Sequence, residues 1–327
     1  MSRLAIFLST LVAVLFVAGL VIGPADLSVG QSLTALVVGD EGPMTLVMRE
    51  IRLPRAILGV LVGGALGLAG AAMQGYLRNP LADPGLIGVS GSAALGAVLS
   101  IQMGLAAAMA LALPVMALAG ALIGVLLVLM LAGPRGSSLT LILAGIAISA
   151  FAGALTSLVL NLSPNPYAAT EMIFWMMGSL ADRSMVHVWI ALPLIILGGV
   201  LLSTLSRGLD ALTLGEDAAE AMGVNLTRLR LSLIFGTAAV VGASTAVAGA
   251  IGFVGLVVPH LLRPWVGARP GALLWASALG GAAMILASDI LVRVVLPESD
   301  LKLGVVTALV GAPLFLHLIY RTRRDGL

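Results

Sequence analysis

Ile57-Leu58-Gly59-Val60-Leu61-Val62-Gly63-Gly64-Ala65-Leu66-Gly67-Leu68-Ala69-Gly70-Ala71-Ala72-Met73-Gln74-Gly75 contains no charge and one strongly polar side chain, Gln74. An α-helix needs about 20 consecutive apolar residues to cross the hydrocarbon of a bilayer, and this stretch has that length. It offers no polar face to water, as a helix on the surface of a soluble domain must. The stretch therefore reads as a membrane-spanning helix, and its glycines and alanines read as surfaces where other helices come close.

Outward from it the pattern repeats. Apolar blocks cover 4–22, 57–75, 86–103, 110–131, 139–160, 186–205, 231–250, 253–266, 272–292 and 303–319, ten in all. The 327 residues are 60% hydrophobic and 10% charged, with a mean hydropathy of +1.14. No soluble domain of this size presents such a balance without large exposed apolar patches. The short alternating strands of a β-barrel are absent. The expected fold is all-α and polytopic, one transmembrane domain over 1–327. Block 4–22 reads as a retained span rather than a cleaved signal peptide, because it is long and no small-x-small cleavage pattern closes it. Segments 28–38 and 168–180 are short, and are expected at the membrane interface. Block 253–266, with Pro259, His260 and Arg263, has the least certain depth.

The net charge of +2 and pI near 9.5 do not indicate nucleic acid, since the basic residues are scattered between apolar blocks. With the N-terminus inside, Arg3, Arg78, Arg135, Arg207, Arg228, Arg230, Arg263, Arg269, Arg321, Arg323 and Arg324 are cytoplasmic. Arg49, Arg52, Arg55, Arg183, Arg293 and Lys302 lie outside. Eleven against six places both termini in the cytoplasm. There are no cysteines, which excludes disulfides and thiolate metal sites.

No catalytic motif survives inspection, and no catalytic or metal-ligating residue is assigned. Gly88-Val89-Ser90-Gly91-Ser92 fails a nucleophile elbow at its last position. The single lysine, Lys302, sits between Leu301 and Leu303, so the chain has no phosphate-binding loop and cannot hydrolyse ATP by a Walker-type site. An ion-coupled carrier normally keeps an ionisable group near mid-membrane. Here Asp289 and Arg293, spaced i, i+4, read either as a structural ion pair or as a transport group, and Gln74 and Asn161 either face a pathway or bond between helices. In the longest cytoplasmic segment, 207–230, Leu214-Gly215-Glu216-Asp217-Ala218-Ala219-Glu220-Ala221-Met222-Gly223-Val224 forms a short helix pattern with an acidic first turn and a glycine stop. So small a helix gains from docking into a partner's groove, the membrane surface being the alternative.

Five motifs in order resemble the permeases of binding-protein-dependent ABC importers for iron–siderophores, haem and cobalamin, the FecCD or type II importer family. They are Arg52-Leu53-Pro54-Arg55; Ala69-Gly70 through Gln74 to Arg78-Asn79-Pro80-Leu81-Ala82-Asp83-Pro84; Gly215 to Val224; Gly249-Ala250-Ile251-Gly252-Phe253-Val254-Gly255-Leu256-Val257-Val258-Pro259-His260; and Val306-Thr307-Ala308-Leu309-Val310-Gly311-Ala312-Pro313. The resemblance implies ten transmembrane helices per subunit and a homodimer in the bacterial inner membrane. It also implies two separate ATPase subunits carrying ATP and Mg, a periplasmic binding protein, and no cofactor on this chain. Residues 213–224 look like the coupling helix, with Leu214, Gly215, Glu216, Asp217, Ala218, Glu220, Gly223 and Val224 meeting the ATPase. Arg52, Arg55 and Arg293 look like the arginines that dock the binding protein; their positions at outer helix ends agree. Asn79, Pro80 and Leu81, with Ser137 and Ser138, align with the cytoplasmic gate. His260 belongs to the motif around Pro259 and reads as a buried histidine rather than a haem ligand. Lys302 stands where relatives commonly have proline, which puts the local geometry in question and sets a cation at the outer mouth. The expected function is a permease for an iron–siderophore or haem, with cobalamin and, less directly, an ion-coupled carrier as alternatives.

Overall fold

Apolar blocks with no polar face become helices packed against one another, because lipid offers backbone groups no hydrogen bonds and each segment must satisfy its own. The computed structural model describes residues 2–23, 28–39, 42–133, 136–295 and 301–324; Arg135 lies outside the described residues. The regular structure of the described residues is helical: α1 Ser2–Val21, α2 Val29–Val37, α3 Pro43–Leu46, α4 Leu53–Leu77, α5 Val89–Gln102, α6 Leu105–Ala108, α7 Ala112–Ala132 and α8 Ser138–Asn161. There follow α9 Pro166–Met176, α10 Met185–Thr204, α11 Ser206–Leu212, α12 Glu216–Ala221, α13 Leu226–Ala248, α14 Val254–Leu262, α15 Pro270–Val295 and α16 Leu303–Arg324.

Each of the ten expected blocks coincides with a helix. Seven are long and apolar enough to cross a membrane, one of them Pro43–Leu77, in which a π-helical turn, Val47–Arg52, joins α3 to α4. The other three, Val89–Gln102, Val254–Val266 and Leu303–His317, are shorter. The expected interfacial segments are α2 and α9. Ser28 and Gln31 form a capping box for α2. Asn165 accepts from the Tyr167 N–H, so α9 starts with Pro166 at its first position, two residues before the expected boundary, and ends before Gly178 at φ 73°.

Helix α4, the stretch quoted first, is buried on nearly all sides and touches α1, α10, α13, α14 and α15. Its most extensive partner is α15. There Gly63 and Gly67 face Ser277 and Gly281, two small-x-x-x-small pairs in contact backbone to backbone.

Block 253–266 has its break explained by proline. Pro259 has no N–H, so the Gly255 carbonyl one turn earlier loses its helical donor. The buried Gln74 supplies one: its Nε2 donates to the carbonyls of Gly255 (3.4 Å) and Leu256 (3.1 Å), and its Oε1 accepts from Arg263 Nη2 at 2.8 Å. Gln74 thus bonds between helices. Asn161 is exposed at the end of α8.

Candidate functional site

At one end of the bundle the three arginines expected to dock a binding protein converge. A helix C-terminus leaves its last carbonyls without intrahelical donors and carries partial negative charge, so cations gather there. Arg52 Nη1 donates to the carbonyls of Leu20 (3.0 Å) and Val21 (2.7 Å). Arg293 Nη1 donates to those of Gly19 (2.8 Å) and Ile22 (3.1 Å). Between them Asp289, 2% exposed, accepts from Arg55 Nε and Nη2, both at 2.8 Å, and from Arg293 Nη2. This clasp fixes α1 to α4 and α15, which integrates block 4–22 into the bundle and makes Asp289–Arg293 a structural pair. In this arrangement the Arg52 and Arg293 guanidinium groups are turned inward, because the end of α1 provides acceptors that lipid does not. Arg55 keeps 17% of its side chain exposed.

At the opposite end, α4 stops at Arg78, whose φ of 50° turns the chain out of the helix. Asn79 Oδ1 accepts from the Leu81 N–H at 2.9 Å, and Pro80 and Pro84 stiffen the same turn, leaving Leu81 half-exposed. Asp83 Oδ1 accepts from the Gly85 N–H at 2.7 Å, capping the turn Pro84–Ile87. Burial pushes the Asp83 carboxyl above its ordinary range, and the Gly85 N–H only partly opposes this. A raised folded-state pKa means that the charge opposes folding: stability from this group is present at acid pH and declines as pH rises through the folded pKa. Asp83→Asn is therefore expected to keep the cap and hold the unfolding temperature at pH 7. Asp83→Ala, which loses the acceptor, is expected to cost about 1 kcal/mol. Thermal unfolding of the two variants in detergent checks this.

Across from that turn, Ser137 Oγ accepts from the Thr140 N–H at 3.1 Å and caps α8, of which Ser138 is the first residue. The expected coupling segment is α12, bounded by Gly215 at φ 106° and Gly223 at φ 86°, conformations that L side chains rarely adopt. Val224 closes the segment through its N–H to the Ala219 carbonyl at 3.0 Å. Ala219 is buried, Ala218 half-buried, and Leu214, Glu216, Asp217 and Glu220 are exposed.

A cleft of about 500 Å³ joins α12 to the start of α8, lined by Glu216 and Glu220 on one side and by Gly136, Ser137 and Ser138 on the other. Tyr76 and Arg230 complete it. Sequence reading treated Arg230 as a cytoplasmic charge only. Its burial, at 4% exposure on α13, is not encoded in spacing; the one available signal was its place just past the acidic segment.

Between α9, the 249–253 link and α16 lies an apolar cavity of about 590 Å³, lined by Met176, Ala250, Val305, Ala308, Pro313 and Leu316. Gly304 opens α16 where a Cβ would stand 2.2 Å from the Met177 carbonyl oxygen. The helix still begins at Leu303, with the Lys302 carbonyl accepting from the Val305 N–H at 3.1 Å, so lysine in place of proline leaves that start intact. A second cleft, of about 640 Å³, is lined by Tyr167, Glu171, Phe174, Arg183 and Lys302. Lys302 Nζ sits 5.1 Å from the Phe174 ring centroid.

The sequence pattern of the FecCD transport family matches residues 11–321. The chain belongs to this family. The hemin transport system permease HmuU of Yersinia pestis is 40% identical over 84% of this chain and 84% of its own length. The vitamin B12 import permease BtuC of Citrobacter koseri is 38% identical over 85% and 84%. The ferric enterobactin permease FepD of Escherichia coli is 37% identical over 94% and 92%. An inward-facing structure of a metal-chelate type ABC transporter superposes with a TM-score of 0.87 at 33% identity, covering 98% of this chain and 100% of that one. FecCD proteins are membrane permeases of ABC importers, not enzymes, and the arrangement found here, an apolar bundle with its charges at the two ends, is a permease architecture.

Proposed function

We propose that this FecCD permease carries an iron chelate, an iron–siderophore or haem, from the periplasm to the cytoplasm across the bacterial inner membrane. It works as a homodimer with both termini in the cytoplasm, coupled to two ATPase subunits and fed by a periplasmic binding protein. The observation that carries the cargo class is the likeness over nearly the whole length to a metal-chelate transporter and to haem and ferric enterobactin permeases. Cobalamin is the second reading, supported by the 38% identity to BtuC. Against an ion-coupled carrier stands the Asp289 network: the candidate intramembrane carboxylate is already engaged in ion pairs with two arginines, Arg55 and Arg293, which gives it a structural role.

In this reading the cargo passes along the dimer axis beside α9 and α16, where the apolar cavity holds a bulky ligand weakly enough to release it. Asn79, Pro80, Leu81, Ser137 and Ser138 close the inner end. Docking of the binding protein centres on Arg55, the arginine of the clasp with exposed surface, and reaches Arg52 and Arg293 only if the clasp rearranges. Segment 213–224 fits the ATPase groove, with exposed Glu220 facing it. Glu220→Arg is expected to abolish uptake while the dimer remains intact on size exclusion; unchanged uptake removes that residue from the ATPase interface.

A further inference from the structure

Arg230 is buried, yet its hydrogen bonding is incomplete. Its Nη1 donates to the carbonyl of Gly136, the residue before the Ser137 cap of α8, while Nε and Nη2 are buried without hydrogen-bond partners among the described residues. A buried guanidinium with idle donors is costly, and pairing it with a carboxylate relieves that cost. The carboxylates nearest at hand are those of α12, across the same cleft. Of its acids, Glu216 and Glu220 line the cleft with Arg230, and the fields of both Arg230 and Glu216 reach Tyr76 in the same lining. No ion pair joins Arg230 to α12 among the described residues: the groups face one another with the cleft between them.

We infer that Arg230 is the positioning residue that carries movement of α12 to the gate, by forming an ion pair with Glu216 when the cleft closes. The inference rests on the reading of α12 as the coupling helix. Pressure from the ATPase moves α12 towards α13, the Glu216 carboxylate accepts from the idle Nε and Nη2, and Nη1 stays on the Gly136 carbonyl. One guanidinium then ties the coupling helix to the start of α8, beside Ser137 and Ser138. The open cleft leaves Arg230 under-bonded and the closed cleft satisfies it. That difference is what a mechanical signal needs in order to bias a two-state element.

The chain contains no cysteine, so a Glu216→Cys/Arg230→Cys pair gives cross-linking without background. In the complex with its ATPase, disulfide formation is expected about tenfold faster with ATP trapped than without nucleotide. Equal rates in the two states overturn the inference. Exchanging the charges, Glu216→Arg with Arg230→Glu, is expected to restore ATP-driven uptake that each single change reduces about tenfold; a double variant no better than the singles also overturns it. If substitution of buried Arg230 prevents assembly, exposed Glu216→Gln carries the test. Still bound to the ATPase, it is expected to hydrolyse ATP while delivering about tenfold less cargo per ATP, and an unchanged ratio overturns the inference. Wild-type protein without ATP-dependent uptake refutes the importer reading itself, whereas wild-type uptake with an unaltered Glu216→Gln ratio refutes only the role of Arg230.

Discussion

Gly67→Val leaves no folded permease to extract from the membrane, whereas Gly64→Ala, three residues earlier on the same helix, is tolerated. A Cβ at Gly67 would stand 2.0 Å from the Ser277 carbonyl oxygen and 3.3 Å from Gly281 Cα, both backbone atoms of α15 that no rotamer change can move. The neighbouring Gly281, with its own Cβ position 2.1 Å from the Gly63 carbonyl oxygen, makes the contact reciprocal. Relief requires α4 and α15 to separate along the bundle's most extensive interface, at the upper end of, or beyond, the ~1–3 kcal/mol typical of overpacking. At Gly64 the nearest atom is the Ala278 carbonyl oxygen at 3.5 Å, an ordinary contact, and alanine favours the helix by about 1 kcal/mol. Yield and monodispersity of the two variants after detergent extraction separate the outcomes. A monodisperse Gly67→Val protein would mean that α4 and α15 do not pack as described.

Asp289→Ala is expected to lower stability by about 3–5 kcal/mol, the cost of leaving buried charges uncompensated. Among the described residues this carboxylate is the acid that holds Arg55 and Arg293 together, and Arg293 in turn holds the last carbonyls of α1. Losing it destabilises the α1 clasp as well as the ion pairs. Limited proteolysis near the α1–α2 connection and the unfolding midpoint in detergent both report this. A variant as stable as the wild type would show that the arginines are satisfied elsewhere, and would free them for docking.

The ten apolar blocks were legible in the sequence, and each coincides with a helix, seven of them long enough to span, because hydrocarbon excludes polar side chains over a fixed length and that constraint acts residue by residue. The ends were less so. Arg52, Arg55 and Arg293 read as accessible charges at outer helix ends, since sequence reveals that an arginine is near an interface but not that the orphan carbonyls of a distant helix lie within its reach. Gln74 was ambiguous for a similar reason: its partner, 181 positions away in the chain, is the Gly255 carbonyl left without a helical donor by Pro259. The coupling segment was bounded well by Gly215 and Gly223, whose positive φ values demand glycine. Its relation to the start of α8 was not, because the cleft depends on how α13 carries Arg230 past Gly136.

We propose that this chain is an apolar conduit whose movement is driven by a separate ATPase. The most direct test is uptake into proteoliposomes containing the purified permease and its ATPase, with binding protein and ferric siderophore, haem or cobalamin outside. Accumulation of the iron chelate that requires internal ATP and the binding protein together is the result predicted. Accumulation driven by a pH or sodium gradient, with neither ATPase nor binding protein present, would contradict it.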